Sequence, residues 1–174
     1  MTEQVNQPVS FPEAISYTQQ LIAQMSQNQL SEAEITEAIA QLVQTQAGAR
    51  GFFVAYLTGD SSLADDPTAG VIKALRSSPK IVSDLLVKNV AMSAAMKLTH
   101  LRNQDQAAAA GSQKVNTRTI NLIQKLSMAE VDREARKLQS TIIEGEGSYQ
   151  SFLTRWGYDR EQQAKITEAI SSII

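Results

Sequence analysis

Pro79 opens the stretch that most narrows what this chain can fold into, "PKIVSDLLVKNVAMSAAMKLTHLRN" at residues 79–103. Ser78 reads as an N-cap, with proline at the first helical position, where its missing N–H matters least. At about 100° per residue, Ile81, Val82, Leu85, Leu86, Val90, Met92 and Met96 spread over a very wide apolar arc. Lys80, Asp84 and Lys88 hold the opposite side. A helix that is apolar around so much of its circumference needs neighbours on several sides, so the segment predicts the central helix of a multi-helix bundle.

Helix signals punctuate the rest of the chain. Pro12 sits at the start of "PEAISYTQQLIAQMSQ", in which Phe11, Ile15, Thr18, Ile22 and Met25 make one mostly apolar face. Further helices are predicted over 32–46, over "FFVAYL" after the glycines 48 and 51, over 67–76 behind an Asp66 cap, and over 117–126, 128–143, 148–156 and 160–173. Gly145, Gly147 and Gly157 serve as stops. "NQDQAAAAGSQKVN" at 103–116 reads as a frayed helix end or a mobile linker. By periodicity alone "KIVSDLLV" and "FFVAYL" also fit buried strands, but caps surround both and hairpin dipeptides such as Asn-Gly are missing. The expectation is an all-α, multi-helix bundle of about eight or nine short helices.

Two of these helices begin with nearly the same phrase, "LSEAEI" at 30–35 and "LSMAEV" at 126–131. Each supplies the parts of a capping box and hydrophobic staple: Ser31, Glu34, Leu30 and Ile35 in one, Ser127, Glu130, Leu126 and Val131 in the other. At a constant offset of 96, residues 30–58 and 126–154 agree at nine of 29 positions, Gly51/Gly147 and Leu57/Leu153 among them. An internal duplication follows as an expectation: one all-α domain over 1–174, with a first helical module at 10–78, the central helix and linker at 79–116, and a second module at 117–174.

Composition removes whole classes of chemistry. Cysteine is absent, and with it disulfides, thiolate metal sites, iron–sulfur clusters and thiol nucleophiles. The N-terminal "MTEQVNQPVS" lacks the basic and apolar regions of a secretion leader, and "FFVAYL" is far too short to span a bilayer. The chain therefore reads as cytoplasmic, with no membrane partner. Charge is segregated: residues 1–66 hold eight acids against Arg50, whereas residues 67–125 hold nine bases against Asp84 and Asp105. Such a basic middle either packs against the acidic flanks or meets an anion.

Three candidate sites follow. Asn89, Ser93 and His100 lie within the apolar arc of the 79–103 helix, with Lys97 at its margin. Polar groups facing a core need partners, so these four either line a small ligand pocket or grip neighbouring backbone. Lys73, Arg76, Lys80, Lys114, Arg118 and Lys125 make up the anion-binding candidate. Asp60, Asp65 and Asp66 in "TGDSSLADDP" suit a hard cation chemically, but the spacing is not that of a calcium loop, and no metal site is expected. "GARG" at 48–51 lacks the lysine and the preceding strand of a phosphate loop and reads as a corner between helices.

His100 is the single histidine, and no Glu-x-x-His or His-Glu-x-x-His pattern occurs. Ser93 stands two helical turns from it, too far for a nucleophile and its base. The expectation is accordingly a non-catalytic interaction or regulatory protein without a cofactor, acting on a protein partner or on another copy of itself. Two alternatives stand beside it: anion or nucleic-acid binding through 67–125, and a ligand or enzyme site near Asn89, Ser93 and His100. Aromatic residues make up only 5%, which leaves little for base stacking. The C-terminal "AISSII" either docks on a partner or closes the protein's own core.

Overall fold

The structure is a computed structural model that describes residues 7–174; residues 1–6, and with them most of the stretch read above for a leader, lie outside the described residues. All regular structure among the described residues is helical, and the fold is an all-α bundle. In chain order the helices are α1 (Phe11–Ser26), α2 (Glu32–Leu42), α3 (Gln46–Thr58), α4 (Ala69–Arg76), α5 (Pro79–Arg102), α6 (Gln106–Leu126), α7 (Ala129–Glu144), α8 (Gln150–Trp156) and α9 (Arg160–Ser171). A short 3-10 turn, Ser62–Asp65, lies between α3 and α4. The chain divides into two compact units, the first ending at Ile81 and the second running from Val82 to Ile174.

Local chemistry explains most helix ends. Ser10 and Glu13 form a reciprocal capping box at the start of α1, and Ser31 and Glu34 form the predicted one at α2. Thr45 accepts from the Gly48 N–H at 3.1 Å to open α3. Asp159 and Gln162 box the start of α9. Gly145 and Gly157 end α7 and α8 in the left-handed region, the stops their type suggests.

Four local expectations are corrected. The glycines of "GARG" do not form a corner: α2 stops at Leu42, and α3 starts at Gln46 and runs straight through Gly48 and Gly51. The reason is packing, since a Cβ at Gly51 would overlap Ala14 Cβ and lie 2.8 Å from the Phe11 carbonyl oxygen, so glycine lets α3 cross α1 closely. The helix assigned to 67–76 starts at Ala69, where the Thr68 side chain makes no cap bond. Glu32 of α2 accepts from the Gly70 N–H in its place, a cap supplied by a different helix.

The supposed linker at 103–116 is mostly helix. Asp105 accepts from the Ala108 N–H at 2.9 Å, and α6 continues from Gln106 for 21 residues. Its alanines are strong helix formers, and Gly111, with open space around it, interrupts them at a tolerable cost. Finally, Ser127 is not an N-cap. It ends α6 in the left-handed region at φ 49°, and α7 begins at Ala129 after Met128 without a side-chain cap.

In the first unit α1 packs on α3 and α2 on α4, with Leu21, Ile39, Phe52, Leu57, Val71 and Leu75 buried. Phe52 stacks on Tyr56 at 5.0 Å between ring centroids. In the second unit the wide apolar arc of α5 is buried at Val82, Leu86, Val90 and Ala95, as are Leu122 and Leu126 of α6, Leu138 of α7 and Ile166 and Ile170 of α9. Arg102, near the end of α5, reaches Asp159 at 2.6 Å and also Glu161, fastening the start of α9. Thr99 of α5 accepts from Gln162 of α9 at 2.8 Å.

Candidate functional site

The second unit carries a groove of about 360 Å³ walled by α5, α6 and α9. From α5 come Ser93, Ala94, Lys97, Leu98 and Leu101, whose spacing of one and three residues draws a single stripe down the helix. Gln113, Asn116 and Ile120 of α6 face it at helical spacing, and α9 adds Lys165, Glu168 and Ala169. The apolar lining is thus aliphatic, from Leu98, Leu101, Ile120 and two alanines. Leu101 stays 41% exposed.

Polar groups around the groove are engaged with one another. The Ser93 hydroxyl lies 2.7 Å from the Asn89 carbonyl oxygen and 3.1 Å from that of Val90, and it accepts from Asn116 Nδ2 at 3.0 Å. Its one proton is therefore committed to backbone one turn back. Lys97 Nζ donates to Gln113 Oε1 at 2.6 Å, and Gln113 Nε2 donates to Thr117 Oγ1 at 3.0 Å. Lys165 and Glu168 pair along α9 at 3.3 Å, an exposed contact of small energetic weight.

Two of the four residues expected to form a ligand pocket, Ser93 and Lys97, line this groove. Asn89 contributes only its backbone carbonyl to Ser93, and half-buried His100 stands beside Leu101, off the stripe. The structure adds what sequence reasoning missed: Gln113, Asn116, Ile120, Lys165 and Glu168. A signal for the first three was present, because the spacing of 113, 116 and 120 continues the helix predicted from 117 backwards into the supposed linker.

The six basic candidates fall in two places. Lys73, Arg76 and Lys80 are exposed in the first unit. In the second, Lys125 is exposed and Lys114 half-buried, whereas Arg118 is 4% exposed and so turned away from any large anion. Lys114, Arg118 and Lys125 share one face of α6, so burial at Arg118 interrupts that face. Asp60, Asp65 and Asp66 are exposed, and among the described residues no three His, Asp or Glu side chains gather closely enough to hold a metal ion.

A second polar cluster ties α5, α7 and the start of α8 together. The Tyr149 hydroxyl lies 2.7 Å from Glu134 Oε2 and 3.1 Å from Asp84 Oδ1. Lys88 pairs with Asp84 at 2.8 Å, and Lys137 with Glu134 at 2.7 Å. Burial pushes the Tyr149 phenol far above its ordinary value, and the two carboxylates push the same way. Burial alone would raise the Glu134 carboxyl, but hydrogen bonds from Lys137 and Tyr149 and the charges of Lys137 and Lys88 hold it below its ordinary value. The cluster is charge-balanced and its tyrosine is firmly protonated, which makes it a structural joint.

The C-terminal isoleucines divide. Ile170 is fully buried, Ile173 is half-buried, and Ile174 is exposed at the edge of a second groove, of about 570 Å³, with Met128 and Val131. No helix among the described residues is long and apolar enough to cross a membrane.

Fold and groove together define a small all-α helical protein whose second unit carries an aliphatic cleft. The chain belongs to the family described as uncharacterised conserved protein UCP020893, which it matches over residues 10–173. Comparison with curated proteins and with solved structures gives no match.

Proposed function

We propose that the chain is a non-catalytic interaction protein that binds a protein partner through the α5/α6/α9 groove. The observation that carries this reading is Leu101, a large aliphatic side chain left 41% exposed in a cleft lined by Leu98 and Ile120. An apolar side chain gains roughly 1.5–3 kcal/mol on full burial, so a partner that covers Leu101 recovers what the free protein forgoes. The polar rim supports the same use, since Lys97 donates to Gln113 and Asn116 donates to Ser93, contacts that hold these side chains in place without pairing a nucleophile with a base. Lys97 and Lys165 favour a partner that carries an acidic residue beside its apolar anchor.

A photo-crosslinking amino acid placed at Leu101, in the cells that make the protein, tests this. The expected result is a discrete crosslinked protein species that disappears when Ser93→Trp fills the groove and persists when exposed Val54 on α3 is changed to Asp. Crosslinks to water or small molecules alone, or a species indifferent to the filled groove, would overturn the reading.

A further inference from the structure

We propose that the Ser127–Met128 junction is a hinge, at which α6 and α7 fuse into one helix and the arm α7–α9 is exchanged with a second copy of this chain. Between Gly111 and Gly145 the sequence holds neither glycine nor proline, so local chemistry demands no break there. The break is made by a serine in the left-handed region, at φ 49° and ψ 50°, which a residue with a Cβ adopts only at a cost. After it α7 starts without a side-chain cap, and among the described residues the N–H groups of Met128, Ala129 and Glu130 make no hydrogen bond. In a continuous helix those three donors meet the carbonyls four residues back, and Ser127 returns to the right-handed region.

Packing, rather than the turn itself, therefore holds the hairpin. Leu126 and Val131 are buried on either side of the break, and the arm is fastened to α5 through Tyr149 on Asp84 and through Asp159 and Glu161 on Arg102. Each fastening joins the arm to α5, so the arm of a second copy makes the same contacts and no new surface is required. Exchange keeps those contacts and relieves two hinges at once. At about 100° per residue, the step from Leu126 to Val131 turns the buried stripe by about 140° in a continuous helix, which aims the arm at a different body from the one α6 packs on. Open space borders the junction, since Ser127, Met128 and Val131 line the groove of about 570 Å³. In the exchanged dimer the α5/α6/α9 cleft takes its α9 wall, Lys165 and Glu168 included, from the other copy, whatever that cleft binds.

Substitutions at the hinge act on the two states in opposite directions. Ala129 is the first residue of α7, and Met128 before it is extended at φ −100° and ψ 125°, so Ala129→Pro fits the hairpin but breaks a fused helix. Ser127→Gly likewise favours the left-handed turn, whereas Ser127→Ala favours the helix. Each chain is held at high concentration in urea just below its unfolding midpoint, returned to buffer and separated by size. Wild type is expected to yield a dimer that survives dilution, because reversal requires the arm to open. With two hinges per dimer, the association constant rises about 5-fold in Ser127→Ala and falls at least ~10-fold in Ser127→Gly and at least ~100-fold in Ala129→Pro. Unchanged helical circular dichroism shows that the variants fold. Arg102→Cys with Glu161→Cys, in a chain that has no cysteine of its own, then tells exchange from simple association. A short bis-maleimide joins the two positions within one chain in the monomer and between chains in the exchanged dimer, doubling the mass on a denaturing gel. Monomer alone from both wild type and Ser127→Ala, a dimer as abundant in Ser127→Gly as in wild type, or dimers whose crosslinks stay within single chains would overturn the proposal.

Discussion

Replacing Gly51 and Gly111 by alanine, one at a time, tests the packing on which the first unit depends. Both glycines are inside helices, so each alanine gains about 0.8–1 kcal/mol of intrinsic helix preference. The surroundings then decide the sign. Nothing lies within 4 Å of a Cβ at Gly111, and that variant is expected to be stabilised by roughly 0.5–1 kcal/mol. At Gly51 the new methyl overlaps Ala14 Cβ and sits 2.8 Å from the Phe11 carbonyl oxygen and 3.1 Å from the Ile15 nitrogen. Two of those three neighbours are backbone of α1, so relief requires the helices to separate. Overpacking of this kind costs about 1–3 kcal/mol, which outweighs the helix gain and leaves Gly51→Ala destabilised by around 1 kcal/mol or more. Urea unfolding followed by circular dichroism reads both variants, while fluorescence of Trp156, the single tryptophan, reports the second unit alone. At a slope of roughly 1–3 kcal/mol per molar, the two midpoints should move in opposite directions by a resolvable fraction of a molar. A Gly51→Ala midpoint at or above wild type would refute the close α1–α3 crossing.

Other substitutions probe single contacts. Glu32→Ala should destabilise the protein by about 1 kcal/mol, since Glu32 caps α4 where Thr68 does not, while Glu37→Ala on the same helix should be near neutral in the same urea assay. Tyr149→Phe removes a hydrogen bond to charged groups and should cost about 1.5–3 kcal/mol at neutral pH. Because the Tyr149 phenol is raised, its contribution is complete below the ordinary value of 10.0 and fades as pH climbs above it; wild type should therefore lose stability faster than Tyr149→Phe on the alkaline side. Glu134 is shifted the other way, so its contribution is present above 4.5 and disappears as pH falls through its lowered value; the gap between wild type and Glu134→Gln should close on acidification.

What the sequence reveals of the fold lies mostly within single turns of helix. Ser31 and Glu34 are three residues apart, and the box they form depends on nothing further away. The same residue types fail at Ser127 because α6 is still running there: its carbonyls claim the Ser127 N–H, bonded to the Ile123 oxygen at 3.1 Å, before a new helix can start. Gly51 fails for the complementary reason. Glycine is a poor helix former in isolation, and only the presence of α1, some 40 positions earlier, makes its missing side chain an advantage. Asp66 has the residue type and position of a cap for α4, yet the acid that performs that task is Glu32, on another helix.

The groove was half legible for the same physical reason. Ser93 and Lys97 share one face of one helix, and periodicity finds such pairs. Lys165 and Glu168 reach the cleft from a helix about 70 positions later, through a packing that no local pattern encodes. Charge shows the limit most directly: Arg118 and Lys125 lie on nearly the same face of α6 and look alike as cations in the sequence, yet one is buried and the other exposed. A cation's meaning depends on whether its surroundings supply water or protein, and that is settled by neighbours brought from elsewhere in the chain. For this protein the distinction takes Arg118 out of the face that Lys114 and Lys125 still share, while Leu101, on another helix, is left exposed.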